Sequence, residues 1–149
     1  MGQNKEMLTH VKGSRAAGAR PNPIVNGSSQ ARRQAAEKAG RRAETHVADI
    51  LGRRGFDILA HRFRTGAGEI DIIAANPRSL VFIEVKARRS RAEAAYAVSA
   101  RQQTRLWQAA GIALATHPEW TRPETRFDVA FVMPAGVEII EDAIRLNMS

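Results

Sequence analysis

Two apolar runs rich in branched side chains follow each other closely in this chain, at residues 69–75 (EIDIIAA) and 80–87 (LVFIEVKA). Runs of this length and composition, bounded by Asn, Pro and Ser, are typical of β-strands. Only residues 76–79 (NPRS) connect them, and so short a connection requires the two strands to pair antiparallel. The sequence therefore predicts a β-hairpin, around which the rest of the fold has to be built.

Charged side chains interrupt both predicted strands. If residues 76–79 form the turn, the numbers of opposed residues sum to 155, so that Asp71 faces Glu84. By the same rule, Glu69 faces Lys86. Opposed residues of an antiparallel pair share one face of the sheet, with Cβ atoms roughly 4.5–5.5 Å apart. A slip of the register by two residues would keep both carboxylates on that face, so we expect Asp71 and Glu84 to lie close together.

Two neighbouring carboxylates in an apolar hairpin repel each other, and one would lose its charge unless a cation lay between them. Mg²⁺ or Mn²⁺ suits this position because both ions prefer hard oxygen ligands. The main-chain carbonyl of Val85 could complete the protein ligands. A third acid, Glu44, shares the apolar stripe of a predicted helix with Val47, Ala48 and Leu51. We therefore predict a metal site formed by Asp71, Glu84 and Glu44.

Lys86 follows Glu84 by two positions and extends this chemistry. Its ammonium could position an attacking water or neutralise charge that develops on a phosphodiester. Structural alternatives stay open for each residue. Glu69 and Lys86 could form a cross-strand ion pair, and Lys86 could be purely structural. Asp71 and Glu84 could be unconnected surface acids, and Glu44 could point to solvent.

The remaining chain alternates between helical and extended patterns. Ser29 is a plausible N-cap for the first helix, and the sequence Arg53-Arg54-Gly55 predicts its end. Its apolar stripe comprises Ala35, Ala36, Ala39, Ala43, Val47, Ile50 and Leu51. We predict a strand at 56–64, a second helix at 91–116, and further strands at 126–133 and 137–141. The resulting order, α-β-β-β-α-β-β, is an α/β fold with a mixed central sheet flanked by helices.

Charge points to a polyanionic partner. The chain has 149 residues, a net charge of +8 and a pI near 11.1, so nucleic acid is the favoured partner, although basic residues could merely aid solubility. No cysteine is present, which excludes thiol chemistry. Without a secretory signal or an apolar run of about 20 residues, we expect a cytoplasmic protein with no membrane association. We predict that residues 1–28 form a flexible basic tail and that residues 29–149 form the domain.

Further basic residues follow the third predicted strand and continue into the next helix: Arg88, Arg89, Arg91, Arg101 and Arg105. Beside a metal site they would contact phosphates without reading base sequence. A solvated, basic helix start is the alternative. Asp128 could support the site, but an ion pair with a neighbouring arginine is the favoured interpretation.

The segments "GEIDIIA", "LVFIEVKAR" and "RFDVAFV" resemble the YraN-like proteins of bacteria over residues 40–146. The resemblance implies a restriction-endonuclease-like fold of the PD-(D/E)XK nuclease superfamily. By resemblance, Asp71, Glu84 and Lys86 correspond to the superfamily's catalytic Asp, Glu and Lys. Glu44 corresponds to the first-helix acid of several relatives, including archaeal Holliday-junction resolvases.

Weaker parts of the resemblance concern the second helix and the C-terminus. Gln103 with Trp107 is similar to the Q-x-x-x-Y element of RecB-type nucleases, with Trp in place of Tyr. Where relatives often carry a Lys before this Gln, the chain has Gln102, and Ile144 stands where an aromatic residue is usual. A solvated Gln103 and a core Trp107 are the structural alternatives.

These observations lead to one functional hypothesis and two rivals. We expect a nuclease that uses Mg²⁺ or Mn²⁺ to hydrolyse nucleic-acid phosphodiesters, with DNA preferred. The expected catalytic residues are Asp71, Glu84, Lys86 and Glu44, and the expected nucleic-acid contacts are Arg88, Arg89, Gln103 and Arg105. The first rival is a catalytically silent nucleic-acid-binding accessory protein with the same fold, and the second is a protein-interaction module. Because related nucleases often dimerise, a homodimer is a further expectation.

Overall fold

A computed structural model describes residues 23–90, 92 and 98–144. The chain divides into two units, 1–36 and 37–149. The helices and strands are α1 (Pro23–Arg53), β1 (Asp57–Thr65), β2 (Gly68–Ala75), β3 (Ser79–Ala87), α2 (Ala100–Thr116), a 3-10 turn (Pro118–Trp120), β4 (Glu124–Met133) and β5 (Gly136–Ile140). This confirms the predicted order of elements. Among the described residues, no helix has the length and apolar character needed to span a membrane.

Helix α1 begins earlier than the sequence predicts. It starts at Pro23 rather than after Ser29, and proline suits a first helical position because it lacks the N–H group that would be unpaired there. Residues 23–28 of the predicted tail are therefore helical, whereas 1–22 lie outside the described residues. The apolar stripe also begins later than predicted. Ala35, Ala36 and Ala39 are exposed, and burial begins at Ala43.

The end of α1 matches the prediction of a left-handed cap. Gly55 has φ of +90°, a conformation that glycine adopts without a Cβ clash. Phe56 N donates to Leu51 O at 3.0 Å, and Gly55 N donates to Gly52 O at 3.1 Å. These two bonds form a Schellman motif, which satisfies carbonyls that the end of a helix leaves without partners. The chain then turns directly into β1.

One five-stranded mixed sheet, in the order β1-β2-β3-β4-β5, organises residues 57–140. Strands β3 and β4 are parallel neighbours, and every other neighbouring pair is antiparallel. A parallel pair needs a long crossover connection, and α2 lies within the segment that connects β3 to β4. The central strands β2, β3 and β4 carry most of the buried side chains.

Each face of the sheet is covered by apolar side chains from one helix. Leu106, Ala109, Ala110 and Ala113 of α2 pack on one face with Phe82 and Phe127. Val47, Ala48 and Leu51 of α1 pack on the other face with Ile72, Ile83 and Ala130. Because side chains alternate between the faces of a strand, Phe82 and its neighbour Ile83 enter different clusters. The hairpin is thus buried on both sides.

A buried ion pair attaches the segment after β5. Asp128 is 1% exposed, and Arg126 donates to its two carboxylate oxygens at 3.0 and 3.1 Å. Asp142 N donates to the same carboxylate at 2.9 Å. Ile144, 2% exposed, packs into the cluster under α2. The predicted Asp128–arginine ion pair is confirmed, and this geometry gives Asp128 a structural role.

Candidate active site at the end of the β2–β3 hairpin

The register of the hairpin is set by its turn. The Asn76 Oδ1 atom accepts from Arg78 N at 3.0 Å and from Ser79 N at 2.7 Å, while Asn76 N donates to Ser79 O at 3.0 Å. This side-chain bonding stabilises a tight turn. The paired residues run from Ala75–Leu80 to Ile72–Ile83, so that opposed numbers sum to 155, which confirms the predicted register.

Asp71 lies beyond the last of these pairs, on the side away from the turn. There a side-chain hydrogen bond replaces the main-chain bonding of the two strands. The Asp71 Oδ2 atom accepts from Val85 N at 2.8 Å, so a side chain replaces the main-chain partner that a strand would offer. This bond fixes the orientation of the carboxylate toward β3. A cleft lies at this end of the hairpin, away from the turn. It is lined by Gly68, Glu69, Glu84, Gln102, Arg105 and Leu106. The hairpin therefore brings Asp71 and Glu84 together beside an accessible space.

Lys86 and Glu69 each lie close to an oppositely charged side chain of the site, Glu84 for Lys86 and Arg64 for Glu69. Lys86 Nζ lies 2.9 Å from Glu84 Oε1, and the two side chains are only 15% and 13% exposed. Glu69 instead opposes Arg64 of β1, whose Nε lies 3.4 Å from Glu69 Oε2 at the surface. The structure thus places the ammonium of Lys86 against the carboxylate of Glu84, while Glu69 lines the same cleft beside Arg64.

The carboxyl of Asp71 has a strongly perturbed pKa. Burial is the largest cause, and together with the negative charges of Glu84 and Glu44 it raises the pKa of Asp71 from 3.8 to about 7, against the lowering effect of the Val85 N–H. A hydrogen bond between the carboxyl groups of Asp71 and Glu84 also favours the protonated form. Carboxylates that share a site in this way repel each other unless a proton or another cation intervenes.

Glu44 reaches the neighbourhood of these carboxylates, but an arginine holds it. Arg62 Nε donates to Glu44 Oε2 at 2.8 Å, and Arg62 Nη2 donates to Glu44 Oε1 at 3.4 Å. The Glu44 side chain is 14% exposed, so the alternative of a solvent-directed acid is wrong. Within residues 23–90, 92 and 98–144, no three His, Cys, Asp or Glu side chains are arranged to hold a metal ion. The predicted arrangement of three carboxylates is therefore not seen.

Arg62 is the residue of this site that the sequence did not single out. In "AHRFRT" (60–65) it is one of two arginines at alternate positions of the predicted strand, and no pattern in the sequence distinguishes it from Arg64. Its backbone, at φ of +49°, is left-handed, which a strand pattern does not predict.

The predicted nucleic-acid contacts occupy several environments. Arg105 is exposed and lines the cleft. Its side chain lies over Gly68, where an added Cβ would be 3.9 Å from Arg105 Cδ. Arg89 is also exposed, whereas Arg88 is partly buried and its Nη1 donates to Ala87 O at 2.7 Å. Arg101 is exposed, and Arg91 lies outside the described residues. Of these predicted nucleic-acid contacts, Arg105 is thus the one that lines the cleft together with Glu84.

Gln103 and Trp107 lie on the core side of this region. Gln103 Nε2 donates to Val98 O at 3.3 Å, which ties α2 to the segment before it. The ring of Trp107 lies 4.2 Å from that of Phe127, centroid to centroid, within the cluster under α2. This geometry favours the structural alternative for Trp107.

The sequence model of a family described as "Uncharacterised protein family UPF0102" matches residues 43–132. The chain belongs to this family. A UPF0102 protein of Acidiphilium cryptum (strain JF-5) is 48% identical over 117 residues, 78% of this chain and 91% of that protein. A relative from Azorhizobium caulinodans is 43% identical over 130 residues, 87% of this chain and 98% of its own. Another relative, from Bradyrhizobium sp. (strain BTAi1), is 51% identical over 105 residues, which cover 70% of this chain and 77% of that protein.

Family membership confirms the resemblance to the YraN-like proteins. The matched segment of the UPF0102 family includes α1 from Ala43 onward, the hairpin and nearly all of β4. All the residues that converge at the end of the hairpin lie within it: Glu44, Arg62, Asp71, Glu84, Lys86 and Arg105.

Proposed function

We propose that this UPF0102 protein is a metal-dependent nuclease with a restriction-endonuclease-like core. The observation that carries the proposal is the end of the hairpin, where two partly buried carboxylates meet beside an ammonium. Asp71 is oriented by Val85 N–H at 2.8 Å, and Lys86 Nζ lies 2.9 Å from Glu84. A protein that needed only stability would gain little from such a cluster, because burying charged groups is costly.

The donor set fits one Mg²⁺ or Mn²⁺ ion. Asp71 and Glu84 offer hard oxygen ligands, and the raised pKa of Asp71, caused first by burial and then by the charge of Glu84, supports a cation beside them because it would offset their repulsion. Mg²⁺ is commonly held by one or two carboxylates together with waters and substrate phosphates. When bound, the ion would lower the pKa of a coordinated water and stabilise charge on the phosphodiester. Asp71 and Glu84 would hold it.

Lys86 would act on the charges that appear during hydrolysis. A water attacks phosphorus and gives up a proton to solvent, the bond from phosphorus to the leaving oxygen breaks and that oxygen takes up a proton, and negative charge increases on the phosphoryl oxygens in the transition state. An ammonium held in place beforehand stabilises this charge without reorganising. The contact with Glu84 fixes the Lys86 ammonium at the metal-binding carboxylates, which would place it beside the scissile phosphate.

Arg105 and Gln102 would contact the substrate backbone. Both line the cleft with Glu84, and contacts from arginine to phosphate position a nucleic acid without reading its bases. The net charge of +8 supports a polyanionic substrate, and DNA is the form we propose. The expected homodimer would allow cleavage of both strands, which size-exclusion chromatography with light scattering can test.

A cleavage assay tests the proposal directly. Purified protein is incubated with branched, flapped and single-stranded DNA in Mn²⁺, in parallel with Asp71→Asn and Lys86→Gln. We expect cutting by the wild type and losses of about 10²-fold or more in both variants. The control is Asp57→Asn, which removes an exposed carboxylate at the start of β1 and should cut normally. Equal cutting by wild type and Asp71→Asn would reject this site.

The engagement of Glu44 by Arg62 favours one alternative, a catalytically silent nucleic-acid-binding accessory protein with the same fold. A site with fewer available ligands would bind metal weakly or not at all. Metal titration separates the two functions. Loss of Mn²⁺ binding in Glu84→Ala supports the nuclease, whereas salt-sensitive DNA binding that is indifferent to metal supports the accessory protein.

A further inference from the structure

The contact between Arg62 and Glu44 differs from the surface ion pairs of this chain. Arg62 and Glu44 side chains are 30% and 14% exposed, whereas Arg64 and Glu69 are 86% and 37% exposed. Two nitrogens of the guanidinium contact the two carboxylate oxygens, at 2.8 and 3.4 Å. Such a fork geometry is stronger and more directional than contact through a single nitrogen. The carboxylate is thereby held in one orientation.

Arg62, the residue that makes this contact, has a strained backbone. Its φ of +49° is left-handed, which costs a residue with a side chain energy that its surroundings must offset. Arg62 lies in β1 between His61 and Phe63, which pair with Ile72 and Ile70 of β2. The skipped partner is Asp71. The strained residue therefore lies opposite Asp71 in the neighbouring strand.

Three acids approach one another here, and each has a different partner. Arg62 contacts Glu44 and stands opposite Asp71 in the sheet, so Glu44 and Asp71 are neighbours of the same arginine. Lys86 contacts Glu84, and Val85 N–H contacts Asp71. The guanidinium of Arg62 neutralises the carboxylate of Glu44, which could otherwise bind a metal ion. Since a guanidinium does not lose its proton in proteins, this compensation is permanent.

We propose that Arg62 is a positioning residue that keeps Glu44 out of the metal coordination shell and so limits the site to two protein carboxylates. This inference rests on the proposed metal site but not on cleavage. Its consequence is that the bound ion keeps more coordinated waters, and more exchangeable positions for substrate phosphate, than a three-carboxylate site would leave. Arg62 is then the residue that sets the number of protein ligands.

The test compares Arg62→Asn with a matched variant, Arg64→Asn. Asparagine tolerates left-handed φ better than most residues, so Arg62→Asn removes the guanidinium with little added backbone strain. Arg64→Asn removes the same charge from the same strand, at an exposed position. Calorimetric titration with Mn²⁺ gives the affinity, and the water-proton relaxation enhancement of bound Mn²⁺ reports its coordinated waters. Glu44→Gln and Arg62→Asn/Glu44→Gln complete the set.

We expect Arg62→Asn to bind Mn²⁺ about tenfold more tightly, because a further anionic ligand raises affinity, and to lose one coordinated water. Arg64→Asn should change the affinity by less than about twofold and keep the water, since it lies outside the contact with Glu44. The double variant should regain the water. If Arg62→Asn behaves like Arg64→Asn, or if Glu44→Gln alone gains a coordinated water, the inference is wrong.

Two further outcomes separate this inference from the proposed function. Normal Mn²⁺ binding without DNA cleavage would reject the nuclease and leave the role of Arg62 to be decided by the water count. Mn²⁺ binding that appears only in Arg62→Asn would support that role, while no binding in any variant would overturn both ideas. Circular dichroism checks folding. Should Arg62→Asn fail to fold, Glu44→Gln decides: an unchanged water count supports the inference, and a gained water overturns it.

Discussion

Replacing Asp71 by Asn should make this protein more stable at neutral and alkaline pH. Asparagine keeps an oxygen that can accept from Val85 N, as Asp71 Oδ2 does at 2.8 Å, but it has no charge to bury. In the native state, burial and the charge of Glu84 raise the pKa of Asp71 from 3.8 to about 7. Ionisation of Asp71 therefore opposes folding, and the asparagine variant avoids that cost.

The magnitude follows from the two pKa values. A group whose pKa is higher in the folded state stabilises the fold fully below the unfolded value and loses that contribution as pH rises through the folded value. The difference between 3.8 and about 7 corresponds to roughly 4 kcal/mol. We expect Asp71→Asn to exceed the wild type in free energy of unfolding by about 2–4 kcal/mol at pH 8, by less than about 2 kcal/mol at pH 5, and by almost nothing near pH 3.5.

Urea unfolding between pH 5 and pH 8, without divalent cations, measures this difference. Circular dichroism follows the transition, and the linear extrapolation gives the free energy of unfolding at each pH. Asp57→Asn is the matched control, because Asp57 is exposed at the start of β1. Its difference from the wild type should be small and nearly independent of pH. A difference for Asp71→Asn that does not grow with pH would falsify the account of repelling carboxylates.

Three further predictions concern other parts of the molecule. Lys86→Gln should lower the rate of cleavage by about 10²-fold while Mn²⁺ titration still shows binding; loss of both would assign Lys86 a structural role. Asp128→Asn should cost about 3 kcal/mol in urea unfolding, because it leaves the Arg126 charge without its buried partner; a cost below about 1 kcal/mol would contradict this. Leu80→Ala, at a fully buried position, should cost about 2–5 kcal/mol, whereas Ile140→Ala, at an exposed one, should cost less than about 1 kcal/mol. Equal costs for the last two would be inconsistent with the described core.

The order of the elements could be predicted because local patterns determine it. Alternating branched residues, helical spacing of alanines and leucines, and turn residues such as Asn76-Pro77 each act over a few neighbours. The hairpin register also follows from local information, since the turn length fixes which residues oppose each other. The start of α1 could not be predicted in the same way. Ser29 is a good N-cap, yet Pro23 begins the helix.

The sequence by itself determined that Asp71 and Glu84 would meet, because the turn at residues 76–79 allows few other pairings. It also determined membership of the UPF0102 family, which residues 43–132 carry. Only the tertiary structure decided what surrounds these acids. The contact of Arg62 with Glu44 joins β1 to α1 across 18 positions, and Arg62 has a left-handed backbone. Contacts between distant elements depend on how helices and strands pack, and the spacing of residues along the chain does not encode that packing.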